Sequence, residues 1–144
     1  MQTRALSPRL AAIVAALPLR PGLRVLEIGC GSGAAARAVV HAVGTGHVLA
    51  IDRSANAIQQ ARTASKNEIA SGRLSVRQVA VEDFELELGE APYDIAFAVR
   101  VGALDGRQPE LEQRARQRIK AALVRNGRLF IDGGNPLQEI SLEM

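Results

Sequence analysis

Apolar and polar positions follow one another in blocks whose period keeps changing, and each change marks an element. Ser7-Pro8 followed by Arg9 to Leu17 reads as a capped helix, with Ser7 at the N-cap, Pro8 at the first helical position and Pro18 as the stop. After a Pro21-Gly22 turn, Arg24 to Ile28 is a short apolar run, as expected of a strand buried on both faces. A glycine-rich loop follows, then a helix of small apolar residues from Ala34 to Val43, broken by Gly44-Thr45-Gly46. His47 to Ile51 is a second buried strand, ending in Asp52. Ser54 caps one long helix predicted to reach about Ala70, with Ala57, Ile58, Ala61, Ala64 and Ile69 as its apolar stripe.

Leu74 to Val81 is the third predicted strand, and an acidic stretch from Glu82 to Glu90 leads to a fourth at Tyr93 to Val101. Gly102 to Pro109 reads as a loop and Glu110 to Val124 as a helix, ended by an Asn126-Gly127 turn. Arg128 to Ile131 is the fifth strand. The remainder carries only a weak alternation, Leu137, Ile140 and Leu142, to which no element is assigned. Strands alternating with helices imply parallel pairing through right-handed crossovers, hence an α/β, doubly wound, mostly parallel sheet with helices on both faces.

A length of 144 residues suits one domain, 1–144, with a single core. A composition 47% hydrophobic and 23% charged excludes wholesale disorder. Aromatics make up only 3%, with no Trp, which argues against a stacking surface for single-stranded nucleic acid. The net charge of +3 is spread from Arg4 to Arg128 rather than clustered, so a nucleic-acid partner is not indicated. Cys30 is the only cysteine, which rules out an internal disulfide and gives no metal-ligand cluster with His41 and His47; both histidines read as structural. Leu10 to Leu17 is too short to span a bilayer and lacks a cleavage site, so a cytoplasmic protein without membrane contact is expected.

The chemistry is expected where the first strand ends, at Gly29-Cys30-Gly31-Ser32-Gly33. Ligands of open parallel sheets bind beyond the carboxyl ends of the strands, at the switch point. Glycines let the backbone approach a ligand closely, and the helix starting after Gly33 offers free N–H groups. Asp52, nineteen residues after Gly33 at the tip of the second strand, is placed to accept hydrogen bonds from both hydroxyls of a ribose. The third glycine comes one residue too early for the dinucleotide pattern G-x-G-x-x-G. Glu27 stands two residues before the first glycine, where it would repel a pyrophosphate and welcome the ammonium of an amino-acid tail.

Val25 to Gly33 resembles motif I of the class I S-adenosylmethionine-dependent methyltransferases, and Ala50-Ile51-Asp52-Arg53-Ser54 resembles their second motif. Val79 to Phe84 is similar to the third, Tyr93 to Ala98 to the fourth strand, and Leu123 to Leu129 to the turn into the fifth. The resemblance covers roughly residues 20 to 132. It implies the strand order 3-2-1-4-5, a Rossmann-like fold, and S-adenosylmethionine as cofactor with S-adenosylhomocysteine as product. It implies further that Glu27 and the backbone of Gly29 and Gly31, in the loop with Cys30 and Gly33, hold the methionine tail. Asp52 would take the ribose, Arg53 would lie beside the adenine, and Val81 with Glu82 would meet the adenine edge.

Three departures stand out. Ala80 occupies a position where the family often has an acid, which leaves the adenine contact to Glu82 or Asp83. Ala98-Val99-Arg100-Val101 replaces the Asn/Asp-Pro-Pro-Tyr type signature of base-amino methyltransferases. The C-terminal hairpin is truncated or missing, so the strand-five edge Leu129-Phe130-Ile131 needs a cover: the tail through Leu142, or a second copy in a homodimer.

Methyl transfer needs alignment more than acid–base chemistry, so catalytic residues stay unassigned. Arg100 and Val101 are the acceptor-side candidates, Arg100 either gripping an acceptor carboxylate or phosphate or pairing with a neighbouring acid. Asp105, Arg107, Asp132 and Asn135 lie near the same end. The expected activity is methyl transfer to a small-molecule acceptor. A cofactor-binding module inactive without a partner chain, and a nicotinamide-dependent oxidoreductase, are the competing readings.

Overall fold

A computed structural model describes residues 6–143. The sheet has six strands in the order β3-β2-β1-β4-β5-β6: β1 Arg24–Ile28, β2 His47–Asp52, β3 Leu74–Gln78, β4 Tyr93–Ala98, β5 Leu123–Asp132 and β6 Leu137–Ile140. All neighbours pair in parallel except β5 and β6. The expected doubly wound sheet and its order are therefore present. Beyond β5, the weak alternation of the tail is one antiparallel strand, with Leu129 opposite Ile140 and Asp132 opposite Leu137. β6 thus occupies the edge that the apolar Leu129-Phe130-Ile131 run would otherwise leave open.

Each strand alternates its side chains between two apolar layers. Val25, Val48, Ala50, Ile95 and Phe97 face α1 (Pro8–Ala16), α2 (Ala34–Val43) and α3 (Ala55–Ala64). Leu26, Ile28, Leu49, Ile51 and Leu129 face α5 (Pro109–Ala122) and the 3-10 turn at Val81–Asp83. Ser7 caps α1 by accepting from Leu10 N at 3.2 Å, and Ser54 caps α3 by accepting from Ala57 N at 3.1 Å, as their sequences require. Among the described residues no helix is long and apolar enough to cross a membrane.

Four boundaries differ from expectation, each for a tertiary reason. The long helix breaks at Ser65 into α3 and α4 (Lys66–Ala70), because Ser65 is fully buried and its Oγ accepts from Arg37 Nη1 at 2.9 Å. The third strand stops at Gln78 rather than Val81, and Val79 N turns to Asp52 O at 3.0 Å. The fourth stops at Ala98 rather than Val101, since Arg100 adopts φ 57 and leaves the extended region. Helix α5 ends at Ala122, and β5 begins at Leu123 with residues 124–127 bulged between the Tyr93–Leu123 and Ile95–Arg128 pairs. Gly127 is needed in that bulge, where a Cβ would come within 2.6 Å of Leu123 Cβ.

The acidic stretch is exposed yet paired rather than merely solvated. Asp83 meets Arg114 at 2.8 Å, Glu85 meets Arg118 at 2.5 Å, and Glu90 meets Arg77 at 3.1 Å. Tyr93 also donates to Glu90, at 2.5 Å. The first two contacts hold the segment between β3 and β4 against α5, and the Glu90 contacts tie its end to β3 and β4.

Candidate functional site

The glycine loop runs from the end of β1 into α2 and is held from below by backbone alone. Gly29 N and Cys30 N both donate to Ile51 O, at 2.8 and 2.9 Å. Gly29, Gly31 and Gly33 all have positive φ, and a Cβ on Gly29 would sit 2.7 Å from Val101 Cγ2. The loop therefore needs glycine both for its conformation and for its close approach to the chain after β4. Gly33 ends it as an N-cap without a side-chain hydrogen bond, which leaves the first amides of α2 free.

Two side chains brace the loop from the flanks. Asp52 Oδ2 accepts from Gly31 N at 3.0 Å, while Oδ1 accepts from Ser54 N at 2.9 Å. Each oxygen keeps a second lone pair for a ligand hydroxyl. Arg37 donates to Ser32 O at 2.8 Å and to the buried Ser65 hydroxyl. Arg37 and Ser65 were not legible as site residues: their only signal is this long-range contact.

Glu27 is the electrostatic anomaly. It sits on β1 beside Ala50 and Phe97, 3% exposed, and its Oε1 has no hydrogen-bond partner. Burial, reinforced by the nearby Asp52 charge, pushes its pKa from 4.5 up to about 8; the Ala36 amide and Arg37 offset this only in part. Cys30 is a buried neutral thiol, its pKa pushed up to about 12 by burial and by the Glu27 and Asp52 charges. Its amide holds Ile51 O, and its thiol reaches Gly31 O at 3.6 Å.

Two cavities open above these residues. One of about 240 Å³ has apolar walls from Ile28, Ile51, Val81 and Leu111, with Asp52 and Glu82 on its rim. Gly29, Arg53, Arg100 and Val101 complete the expected residues there. The other, about 590 Å³, contains Glu27, Cys30 and Gly31, and extends to Arg9 at the start of α1. Gly29 and Arg100 line both, so the two adjoin there.

Gly33 lines neither cavity; it acts as the buried N-cap of α2. Asp83, the alternative to Glu82, turns away to Arg114, and Ala80 itself lines the smaller cavity. Gln108 and Leu111 reach that cavity from the start of α5, and Arg9 reaches the larger one from α1. They lie far from any motif, and nothing local announced them.

At the end of β4, Arg100 N donates to Asp132 Oδ1 at 3.0 Å, and Arg9 pairs with the other Asp132 oxygen at 2.6 Å. Asp105 and Arg107 pair with each other at 2.6 Å. His47 bonds Gly72 O and Ser75 Oγ at the opposite end of the strands, a structural role, and His41 is exposed on α2.

The arrangement suits a ligand with an apolar ring, a diol and an ammonium. Such a ring would fit between the apolar walls, with its diol toward Asp52. The unsatisfied Glu27 oxygen could accept from an ammonium, and the free amides of α2 suit a carboxylate on the same tail.

Residues 19–142 match the family described as methyltransferase domain. A protein-L-isoaspartate O-methyltransferase of Methylorubrum populi is 38% identical over 127 residues, 88% of this chain and 52% of that protein. The chain thus spans about half the length of the curated relatives it matches. Two solved structures share the fold, both of S-adenosylmethionine-dependent methyltransferases in complex with S-adenosyl-L-homocysteine. The Thiobacillus denitrificans protein has a TM-score of 0.67 at 21% identity, over 90% of this chain and 50% of its own. The Geobacter sulfurreducens protein also has a TM-score of 0.67 at 21% identity, over 91% and 49%. Sheet order, loop and family match agree: this chain belongs to the methyltransferase-domain family and has the Rossmann-like fold of its class I members.

Proposed function

We propose that the chain binds S-adenosylmethionine across the two adjoining cavities and transfers its methyl group to a small-molecule acceptor beside Arg100 and Val101. Glu27 carries the reading. A buried carboxylate with an unpartnered oxygen, one strand-end from a glycine loop, is costly unless a cation completes it. The ammonium of the methionine tail is such a cation. The two structural neighbours, both in complex with S-adenosyl-L-homocysteine, support the same cofactor.

S-adenosylmethionine, when bound, would supply an electrophilic methyl group, with a neutral thioether as the leaving group. The chain's residues hold the geometry. Glu27 and the α2 amides anchor the tail, Asp52 holds the ribose, and Ile28, Ile51, Val81 and Leu111 keep water from the ring. Alignment of this kind contributes up to about 7–11 kcal/mol to the rate.

A second reading follows from the coverage of the relatives. The acceptor site is then completed by a further segment or partner chain, with a protein isoaspartyl carboxylate as acceptor, as the Methylorubrum names suggest.

Calorimetry with S-adenosylhomocysteine and with NADH tests the donor site. Heat from the former alone is expected, and its absence overturns the reading. Asp52→Ala is expected to weaken binding tenfold or more, since a charge-assisted hydrogen bond contributes about 1.5–3 kcal/mol. Because Asp52 also braces the loop, Asp52→Asn separates the two effects: it keeps one acceptor oxygen and lacks the charge.

A further inference from the structure

Three cavities meet at Arg100, and the third has no part in the donor site. It measures about 520 Å³ and lies between the ends of β4 and β5, the strand β6 and the start of α5. It shares only Arg100, Val101 and Gly102 with the smaller donor cavity. Leu104, Ile131 and Ile140 give it an apolar side.

Its charges are nearly all spoken for. Asp105 is opposed by Arg107 at 2.6 Å, Asp132 by Arg9 at 2.6 Å, and Glu112 by Arg116 at 3.5 Å. The Arg100 guanidinium has no ion-pair partner among the described residues, so the pairing with a neighbouring acid weighed from the sequence is not what it does. One uncompensated cation thus stands at the seam between this cavity and the donor cavity.

The backbone is strained to put it there. Arg100 is the only non-glycine residue with positive φ among those described, at 57°, and its amide is pinned by Asp132. Glycine adopts that conformation freely. What the arginine adds is its side chain.

We propose that this third cavity is the acceptor pocket, and that it takes a small organic anion with an apolar body. Arg100 holds the carboxylate or phosphate, and Ile131 and Ile140 meet the apolar part. The inference rests on the donor reading of the neighbouring cavity and names the chemistry of its acceptor. A guanidinium grips either anion through paired N–H groups. The volume lies within the usual range for small-ligand sites. An anion anchored at the seam also lies next to the cavity from which the methyl group is delivered.

Hexanoate, hexyl phosphate and hexanamide, titrated into the protein with and without S-adenosylhomocysteine, test this by amide chemical shifts. Hexanoate or hexyl phosphate is expected to move the Val101, Ile131 and Ile140 resonances, and to bind about tenfold or more tightly than hexanamide. The comparison of the two anions tells carboxylate from phosphate. Arg100→Gln should bring the anion's affinity down to that of hexanamide, and Arg100→Lys should restore part of it. Equal binding of hexanoate, hexyl phosphate and hexanamide to the wild type overturns the proposal, as do shifts confined to other residues or an Arg100→Gln protein that binds anions unchanged. Binding of an isoaspartyl peptide without any binding of the small anions overturns it too. Failure of the donor reading shows separately, as loss of S-adenosylhomocysteine binding while the anion titration still responds.

Discussion

Around β1 and β2, polar groups at the strand ends are tied to nearby backbone. Asp52 holds two amides, Ile51 O holds two more, and Arg37 holds Ser32 O. Around β4 and β5 the corresponding strand ends are irregular: Arg100 is left-handed, and Asp132 alone joins Arg9 to the Arg100 amide. The first region is a hydrogen-bonded cradle in which one buried side-chain oxygen, Glu27 Oε1, has no partner. The second is a looser set of paired charges around Arg100, whose guanidinium has no ion-pair partner among the described residues. A donor molecule common to a whole family calls for the first kind of site, and an acceptor particular to one protein for the second.

The contact between the two regions is the most sensitive place to break. Gly29→Ala forces a Cβ against Val101 Cγ2 and a non-glycine residue into φ 72. A loss of about 1–3 kcal/mol in urea unfolding is expected, together with weaker S-adenosylhomocysteine binding. Asp132→Ala leaves the glycine loop and the Asp52 contacts untouched. It should cost about 1–2 kcal/mol while leaving S-adenosylhomocysteine affinity nearly as it was. Arg100→Gly relieves the left-handed residue and is expected to raise stability slightly, by up to about 1 kcal/mol, a gain readable in the thermal midpoint.

Most of the cradle was legible because its determinants are local. The spacing from Glu27 through the glycines to Asp52 lies within one βαβ unit, and the structure places all of these at one strand end. Elements with strong periodicity were legible for the same reason. The misses depend on contacts that no short window contains. Ser65 sits in an otherwise helical stripe and ends the helix only because Arg37 reaches it. The β6 strand alternates too weakly to declare itself and is defined by the edge of β5. Nothing in Val99-Arg100-Val101 signals a left-handed residue, which normally would be glycine; the Asp132 carboxylate that stabilises it is 32 positions away.

Glu27 allows the sharpest test, because burial raises its pKa from 4.5 to about 8. Without ligand the folded chain keeps a proton that the unfolded chain gives up, so stability should decline as pH rises from about 4.5 through 8. An ammonium seated on Glu27 reverses the preference and expels that proton. The decisive measurement is therefore calorimetric titration of S-adenosylhomocysteine at pH 7, in two buffers of different ionisation enthalpy, for the wild type and Glu27→Gln. The account predicts proton release on binding to the wild type, and at least about tenfold weaker binding without proton release for the variant. Equal affinities, with no proton exchanged by either protein, would contradict it.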